Sequence, residues 1–489
     1  MGVAGLDDIL NGGLPANRLY LIEGEPGTGK TTVSLQFLME GARQGESGLY
    51  ITLSETKEEL EAVAQSHGWS LDGFTVYEMI PPEDSLKPES QYTIFHPAEI
   101  ELSETTNAVL EQVELLNPKR VVFDSLSEMR LLAGEPLRFR RQILALKRYF
   151  AGRQSTVVLL DDKVYGSQDL QVHSIVHGVI SLEHLAVEYG AERRRLRITK
   201  LRGSTFRGGY HDFTIHTGGV AVFPRLVAAE HHDDFKNESI TSGIQELDSL
   251  LGGGLDRGTA TLILGPAGSG KSTLGAQFAA ATAKRGEVVS AFIFDELRET
   301  FIARTANTGT DVRNLMNENL FTIQQVDPAE LSPGQFAHTV RNAVDIHGAR
   351  VVIIDSLNGY LNAMPDERFL TIQMHELLTY LNQKGVATVL VMAQHGFLGT
   401  SMGSPVDVSY LADTVMMLRY FETDGAIHRA ISVLKKRSGA HEHTIRPFEI
   451  TSEGICIGPP LNQFRGVLTG VPIYDGTKKA LGEEDDDAS

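Results

Sequence analysis

The chain has 489 residues, of which 42% are hydrophobic and 22% charged, a balance typical of a globular protein with two or three domains. Its net charge of −19 argues against broad, non-specific binding to nucleic acid. The single cysteine, Cys456, excludes an internal disulfide. With no apolar run long enough to span a bilayer and no secretory signal, the sequence predicts a cytoplasmic protein that does not enter a membrane.

The first predicted elements are a short apolar strand, a glycine-rich loop and an amphipathic helix. The loop, "GEPGTGKTT", fits the pattern G-x-x-x-x-G-K-[ST], in which backbone N–H groups and the dipole of the following helix hold phosphates. The lysine of this pattern reaches the β- and γ-phosphates of ATP, and the next hydroxyl ligates Mg²⁺. The predicted nucleotide-binding residues are Gly24, Gly27, Thr28, Gly29, Lys30, Thr31 and Thr32, with Thr31 also a magnesium ligand.

The next predicted strands each lead to an acidic residue. "LYITLSET" supplies Glu55, a candidate to orient or deprotonate the attacking water, although an acid here could instead cap the next helix. "KRVVFDSLS" ends its strand at Asp124, which lies at the carboxyl edge of a parallel sheet and can hold Mg²⁺ through water. Alternating strands and amphipathic helices predict an α/β fold, a mostly parallel sheet flanked by helices.

The whole order of landmarks then recurs, which predicts a tandem duplication of this domain. We expect domains at residues 1–230 and 231–465, a solvated linker at 228–239 and an acidic, disordered tail at 466–489. The second phosphate loop, "GPAGSGKST", predicts nucleotide binding by Gly265, Gly268, Ser269, Gly270, Lys271, Ser272 and Thr273. The second set of acids comprises Asp295 and Glu296 as catalytic candidates and Asp355, which with Ser272 is expected to hold magnesium.

The paired loops, "KLRGS" at 200–204 and "GPPL…GVLTG" near the C-terminus resemble the KaiC-like family of two-domain RecA-like ATPases over nearly the whole chain. The resemblance implies a homohexamer of two stacked rings, with ATP bound between neighbouring subunits. It also implies slow ATPase activity with ATP and Mg²⁺, autokinase and autophosphatase activity in the second ring of some members, and KaiB-like or other signalling partners.

The same resemblance gives roles to two basic pairs that alternate along predicted strands. In similar proteins such pairs reach the γ-phosphate held by the adjacent subunit, where cations stabilise the transferring charge. The alternative is a solvated basic strand. The pairs are Lys200 with Arg202 and Lys435 with Arg437.

Two departures from the family pattern affect the expected chemistry. The family's acidic pair Glu-Glu reads Ser54-Glu55 in the first domain and Asp295-Glu296 in the second. We therefore expect weak hydrolysis in the first domain, unless Glu55 takes over, and dominant hydrolysis in the second.

The second departure lies in "GSPVDVSYLADTV", residues 403–415. Family members carry adjacent serine and threonine phosphoacceptors here, and this chain has Ser409 and Tyr410. The resemblance thus implies autophosphorylation on Ser409 alone; the alternative is an ordinary polar turn. Tyr410 carries its hydroxyl too far from the backbone for the same in-line geometry.

Two other classes of function remain open at this point. A RecA-like core also serves DNA-dependent motors. The acidic net charge, the lack of a four-cysteine zinc module and the lack of a basic-aromatic loop count against that class. The second class is a nucleotide-gated scaffold whose catalysis is vestigial.

Overall fold

The computed structural model describes residues 1–79, 97–163, 170–186, 190–362, 367–394, 409–423, 425–467 and 473–474. The chain divides into two compact units, Met1–Arg225 and Leu226–Ser489. Most of the predicted tail lies outside the described residues. Within the parts of the chain that are described, no helix is both long and apolar enough to cross a membrane.

The first unit contains one nine-stranded sheet in the order β3-β2-β4-β5-β1-β6-β7-β8-β9. The strands from β3 to β6 run parallel, and β6 to β9 continue the sheet as antiparallel neighbours. The strands are β1 (Leu19–Gly24), β2 (Gly48–Thr52), β3 (Thr75–Glu78), β4 (Arg120–Asp124), β5 (Thr156–Asp162), β6 (Gly178–Leu185), β7 (Arg193–Leu201), β8 (His211–His216) and β9 (Gly219–Phe223). The helices are α1 (Leu6–Ile9), α2 (Lys30–Arg43), α3 (Lys57–Ser66), α4 (Pro97–Leu116), α5 (Leu126–Ala133), α6 (Pro136–Ala151) and α7 (Leu170–Ile175).

The second unit contains a nine-stranded sheet with the same order, β14-β13-β15-β16-β12-β17-β18-β19-β20, and two short ribbons, β10-β11 and β21-β22. Its strands are β10 (Ser239–Ile240), β11 (Leu255–Asp256), β12 (Ala260–Gly265), β13 (Val289–Ile293), β14 (Phe321–Gln325), β15 (Val351–Asp355), β16 (Ala387–Ala393), β17 (Thr414–Thr423), β18 (Ala426–Lys436), β19 (Arg446–Thr451), β20 (Gly454–Ile457), β21 (Phe464–Arg465) and β22 (Ile473–Tyr474). Its helices are α8 (Gln245–Leu250), α9 (Lys271–Lys284), α10 (Arg298–Asn307), α11 (Arg313–Asn317), α12 (Pro333–Asp345), α13 (Leu357–Asn362) and α14 (Glu367–Gln383), with 3-10 turns at Ala228–Glu230 and Ser409–Leu411. The two sheets, each mostly parallel and flanked by helices, confirm the predicted fold class.

The strand that carries each phosphate loop lies in the middle of its sheet and is covered on both faces. All six residues of β1 are buried. Leu19 and Leu21 pack into the hydrophobic cluster on one face, and Tyr20 and Ile22 pack into the cluster on the other. Burial on both faces explains why β1 is a nearly continuous apolar run rather than an alternating one.

A β-bulge precedes the first basic residue of each predicted pair. Across β6 and β7, Val179 lies opposite Lys200 while Ile180 lies opposite Ile198, so Thr199 is the extra residue. The same shift occurs between β17 and β18, just before Lys435. A bulge bends the strand and redirects the side chains that follow it. Strand β7 ends at Leu201 and β18 ends at Lys436, so Arg202 and Arg437 each follow the last residue of their strand, and the prediction that both members of each pair lie within a strand is wrong for the two arginines.

Candidate functional site

Both phosphate loops end in a glycine that caps the next helix in a left-handed conformation. Gly29 has φ 94° before α2, and Gly270 has φ 102° before α9. A Cβ on Gly29 would lie 2.6 Å from a methyl carbon of Ile215, and one on Gly270 would lie 2.5 Å from a methyl carbon of Ile450. Only glycine fits these positions. The first N–H groups of α2 and α9, which have no intrahelical acceptor, then form a cradle suited to an anion.

The loop lysines are buried in both units but differ in their partners. The Nζ of Lys30 donates to two carbonyl oxygens of its own loop at 2.9 and 3.0 Å and forms an ion pair with Asp162 at 2.9 Å. The Nζ of Lys271 donates to one loop carbonyl at 2.8 Å. Burial lowers the pKa of Lys271, and the charge of Asp355 opposes that shift. The two loops thus hold the same lysine in different electrostatic surroundings.

The predicted magnesium residues of the first unit come together at the end of β4. The hydroxyl of Tyr50 donates to Oδ2 of Asp124 at 2.5 Å. Burial raises the pKa of Asp124, while hydrogen bonds from Tyr50 and Thr31 and the charge of Lys30 work in the other direction. The structure therefore places the Thr31 hydroxyl beside the strand-ending carboxylate, as the motif requires.

The corresponding carboxylate of the second unit is less well satisfied. Burial raises the pKa of Asp355 to about 6, against the hydrogen bond from Ser272 and the charge of Arg304. Its Oδ2 is buried and has no hydrogen-bond partner among the described residues. Strand register explains this, because Ala291 occupies the position of Tyr50 in the first unit. A buried carboxylate oxygen without a partner, beside a serine hydroxyl, is a donor set that fits Mg²⁺.

Glu55 lies near Asp124, one of the predicted magnesium residues, and one of its carboxylate oxygens has no hydrogen-bond partner among the described residues. Its Oε2 is buried and has no hydrogen-bond partner in the described part of the chain. Burial raises the pKa of Glu55, and the charges of Asp124 and Glu59 add to the effect. The helix-cap alternative does not apply, because Thr56 caps α3 and exchanges hydrogen bonds with Glu59. A carboxylate with a raised pKa and a free oxygen is suited to accept a proton from water.

Glu296, the counterpart of Glu55, is bound instead by an arginine. Arg304 contacts its two carboxylate oxygens at 2.5 and 3.4 Å and donates to the hydroxyl of Thr273 at 3.3 Å. Arg304 stands at the seventh position of α10, where α3 of the first unit has Val63. Glu296 is therefore held by an ion pair with an arginine, whereas Glu55 forms no ion pair with a basic side chain among the described residues. The neighbouring Asp295 is exposed and accepts a hydrogen bond from the hydroxyl of Ser356.

The four predicted trans cations contact backbone carbonyls of their own chain, in the segments that lead into β6 and β17. The N···O distances run from 2.5 to 3.3 Å, and the residues are Lys200, Arg202, Lys435 and Arg437. Arg437 contacts the carbonyl of Tyr410, next to Ser409. The side chain of Ser409 lies outside the described residues, as do residues 403–408, so its role as phosphoacceptor stays a prediction. The role of the cations towards a neighbouring subunit also stays a prediction.

Motif reading missed three side chains that the structure brings into these sites: Tyr50, Asp162 and Arg304. None of them belongs to a local motif. A position-by-position comparison of the two repeats gives the missing signal, because each of these residues is replaced by a chemically different one at the equivalent position of the other unit. The counterparts are Ala291, Ala393 and Val63.

Two sheets of RecA-like order, each with a phosphate loop and a strand-ending aspartate beside it, define a tandem P-loop ATPase. A family model described as "ATPase: KaiC" matches residues 1–227 and again residues 240–462. The chain belongs to the KaiC family of ATPases.

Proteins named for circadian clocks are similar to this chain over almost its full length. The circadian clock oscillator protein KaiC of Prochlorococcus marinus is 28% identical over 476 residues, which cover 96% of this chain and 94% of the relative. The circadian clock protein KaiC3 of Synechocystis is 26% identical over 492 residues, covering 97% and 94%. KaiC of Synechococcus elongatus is 26% identical over 475 residues, covering 96% and 91%.

Proposed function

We propose that this protein binds ATP with Mg²⁺ at both phosphate loops and hydrolyses it slowly, as a homohexamer of two rings formed by domains 1–230 and 231–465. The observation that supports this most directly is the duplicated arrangement of a loop lysine, a following hydroxyl and a strand-ending aspartate. Two glycine caps support it further, because their left-handed conformation directs the loop and the first N–H groups of the helix around an anion.

Each proposed site assigns the same tasks to matching residues. Backbone N–H groups of the loop bind the phosphates, and the loop lysine neutralises their charge. Thr31 with Asp124, and Ser272 with Asp355, would hold the metal ion. Magnesium, when bound, offsets the negative charge that builds on the phosphate oxygens.

The geometry supports hydrolysis in the first domain through Glu55. The sequence favoured the second domain because Ser54 breaks the family's acidic pair. Glu55 nevertheless keeps an oxygen without a partner, whereas Arg304 holds Glu296. We infer that Glu55 serves as the water-orienting base of the first domain and that Glu296 acts only when Arg304 releases it.

Incubation with γ-labelled ATP, followed by measurement of phosphate release and protein labelling, tests this proposal. Lys30→Ala should remove most phosphate release, and Lys271→Ala should remove less. Lys57→Ala, an exposed lysine of the first domain, is the matched control and should leave release unchanged. If Lys271→Ala abolishes release while Lys30→Ala leaves it intact, the assignment to Glu55 is wrong.

Further proposals follow from family membership and from the names of the relatives. We propose a clock-type or other regulatory role in the cytoplasm, exerted through a KaiB-like or other signalling protein. We also propose serine autokinase activity in the second domain, with Ser409 as acceptor and Asp295 or Glu296 of the adjacent subunit as base. Lys271→Ala should then abolish protein labelling, because the second domain supplies the ATP for that transfer.

A further inference from the structure

The two phosphate loops face different residues on the neighbouring parallel strand. In the first unit β5 ends in Asp161 and Asp162, and Asp162 lies opposite Gly24, the first glycine of the loop. In the second unit Ala393 holds the same register position opposite Gly265. One site therefore has a carboxylate where the other has a methyl group.

The carboxylate of Asp162 contacts the loop lysine with one oxygen and a serine hydroxyl with the other. Its Oδ1 lies 2.9 Å from the Nζ of Lys30, and its Oδ2 accepts a hydrogen bond from the hydroxyl of Ser127 at 3.2 Å. The backbone N–H of Asp162 donates back to the same hydroxyl at 3.2 Å. The neighbouring carboxylate, Asp161, contacts Arg130 at 2.6 Å and shares the Ser127 hydroxyl, which lies 3.2 Å from its Oδ1.

The ammonium group of Lys30 has three protons, and the structure shows three acceptors for them. Two are loop carbonyls and the third is Asp162. By contrast, Lys271 makes no ion pair with a carboxylate within the described ranges of the chain. The lysine of the first loop is thus already neutralised by an acid of its own chain.

Phosphate oxygens of ATP would need the same ammonium that Asp162 occupies. Either the carboxylate gives up the lysine, or two negative groups share one cation, and both outcomes disfavour binding. The Asp162 side chain is 36% exposed, so solvent and salt reduce the penalty without removing it. The second site has no such cost at the corresponding position.

We propose that Asp162 competes with the phosphates of ATP for Lys30 and makes the first site the weaker of the two nucleotide sites. This inference rests on the proposed binding of ATP at both loops. It gives the two rings of the assembly different nucleotide affinities through one residue.

Binding of a fluorescent ATP analogue to the full chain, with Mg²⁺ present, tests the proposal. Lys271→Ala confines binding to the first site, and Lys30→Ala confines it to the second. In the first background, Asp162→Ala and Asp162→Asn should each tighten binding about tenfold, and the gain should shrink at high salt. In the second background, Ala393→Asp should weaken binding by a similar factor.

Asp161→Asn is the matched control, since this carboxylate contacts Arg130 rather than the loop lysine, and it should leave the affinity unchanged. Unchanged or weaker binding in both Asp162 variants, with unchanged circular dichroism, overturns the inference and makes Asp162 a group that positions Lys30. If the analogue fails to bind in one or both of the single-site variants, the proposed binding of ATP at both loops is wrong, and this inference fails with it. The two failures are therefore distinguishable.

Discussion

Replacing Asp355 with asparagine should stabilise the nucleotide-free protein while it removes the proposed metal site of the second domain. Folding raises the pKa of Asp355 from 3.8 to about 6, mainly because burial disfavours its charge. That difference corresponds to about 3 kcal/mol of lost stability at pH 8, because one pKa unit is worth 1.36 kcal/mol. An amide of the same shape carries no charge and avoids that cost.

The sign of the effect fixes its pH dependence. A group whose pKa rises on folding contributes its stability below the unfolded pKa and loses it as the pH passes through the folded pKa. Because the pKa of Asp355 rises from 3.8 to about 6, the advantage of Asp355→Asn should be complete above pH 7 and fall to about half at pH 5. Above pH 7, Mg²⁺ with ATP should stabilise the second domain of the native chain and not that of the variant.

Urea unfolding followed with two probes measures this change. The only tryptophan is Trp69, in the first domain, so tryptophan fluorescence reports that domain while far-ultraviolet circular dichroism reports both. The variant should shift the part of the dichroism transition that fluorescence does not follow. Asp311→Asn, an exposed control, should shift neither signal. An Asp355→Asn variant that is less stable than the native chain at pH 8 would refute the inference that burial of this carboxylate costs stability.

Four further predictions concern catalysis, binding and assembly. In a Lys30→Ala background, where only the second site works, Arg304→Val should release Glu296 and raise phosphate release at least severalfold. Arg304→Lys, which keeps a cation beside Glu296, should leave the rate low. Gly29→Ala should lower ATP affinity far more than Gly27→Ala, because both have positive φ but only the first would meet a neighbouring side chain; equal losses would remove the steric argument. Mass measurement with saturating ATP should give six chains, and a monomer there would exclude the ring assembly. Phosphopeptide mapping after incubation with ATP should label Ser409 alone, and label on another residue would exclude that acceptor.

Local patterns in the sequence were sufficient to predict the fold class and the main residues of both candidate sites. The phosphate loops and the strand-ending aspartates are motifs in which function and chain position coincide, so Lys30 and Asp124 could be located without coordinates. The duplication strengthened this inference, because each landmark appears twice in the same order. Two sheets with identical strand order are the structural expression of that repeat.

The differences between the two sites could not be read in the same way. Tyr50 reaches Asp124 across neighbouring strands, and Asp162 reaches Lys30 only because β5 pairs with β1. These contacts depend on strand order and register, which no local pattern encodes. Arg304 bonds Glu296 from the following helix, and a pattern search for acids gave no reason to ask what binds them.

The central position of the loop-bearing strand has a consequence for how the protein is made. Leu19 of β1 pairs with Val157 of β5, and Tyr20 pairs with Gly178 of β6, both far later in the chain. Contacts between such distant residues form only after most of a domain has left the ribosome. The first phosphate loop therefore gains its fixed shape late in the synthesis of its own domain, yet before β17 exists to complete the second. ATP in the cell can thus stabilise the finished first domain while the second is still being translated. Ribosome-bound chains that are stalled just before and just after β6 has emerged should therefore differ in ATP binding.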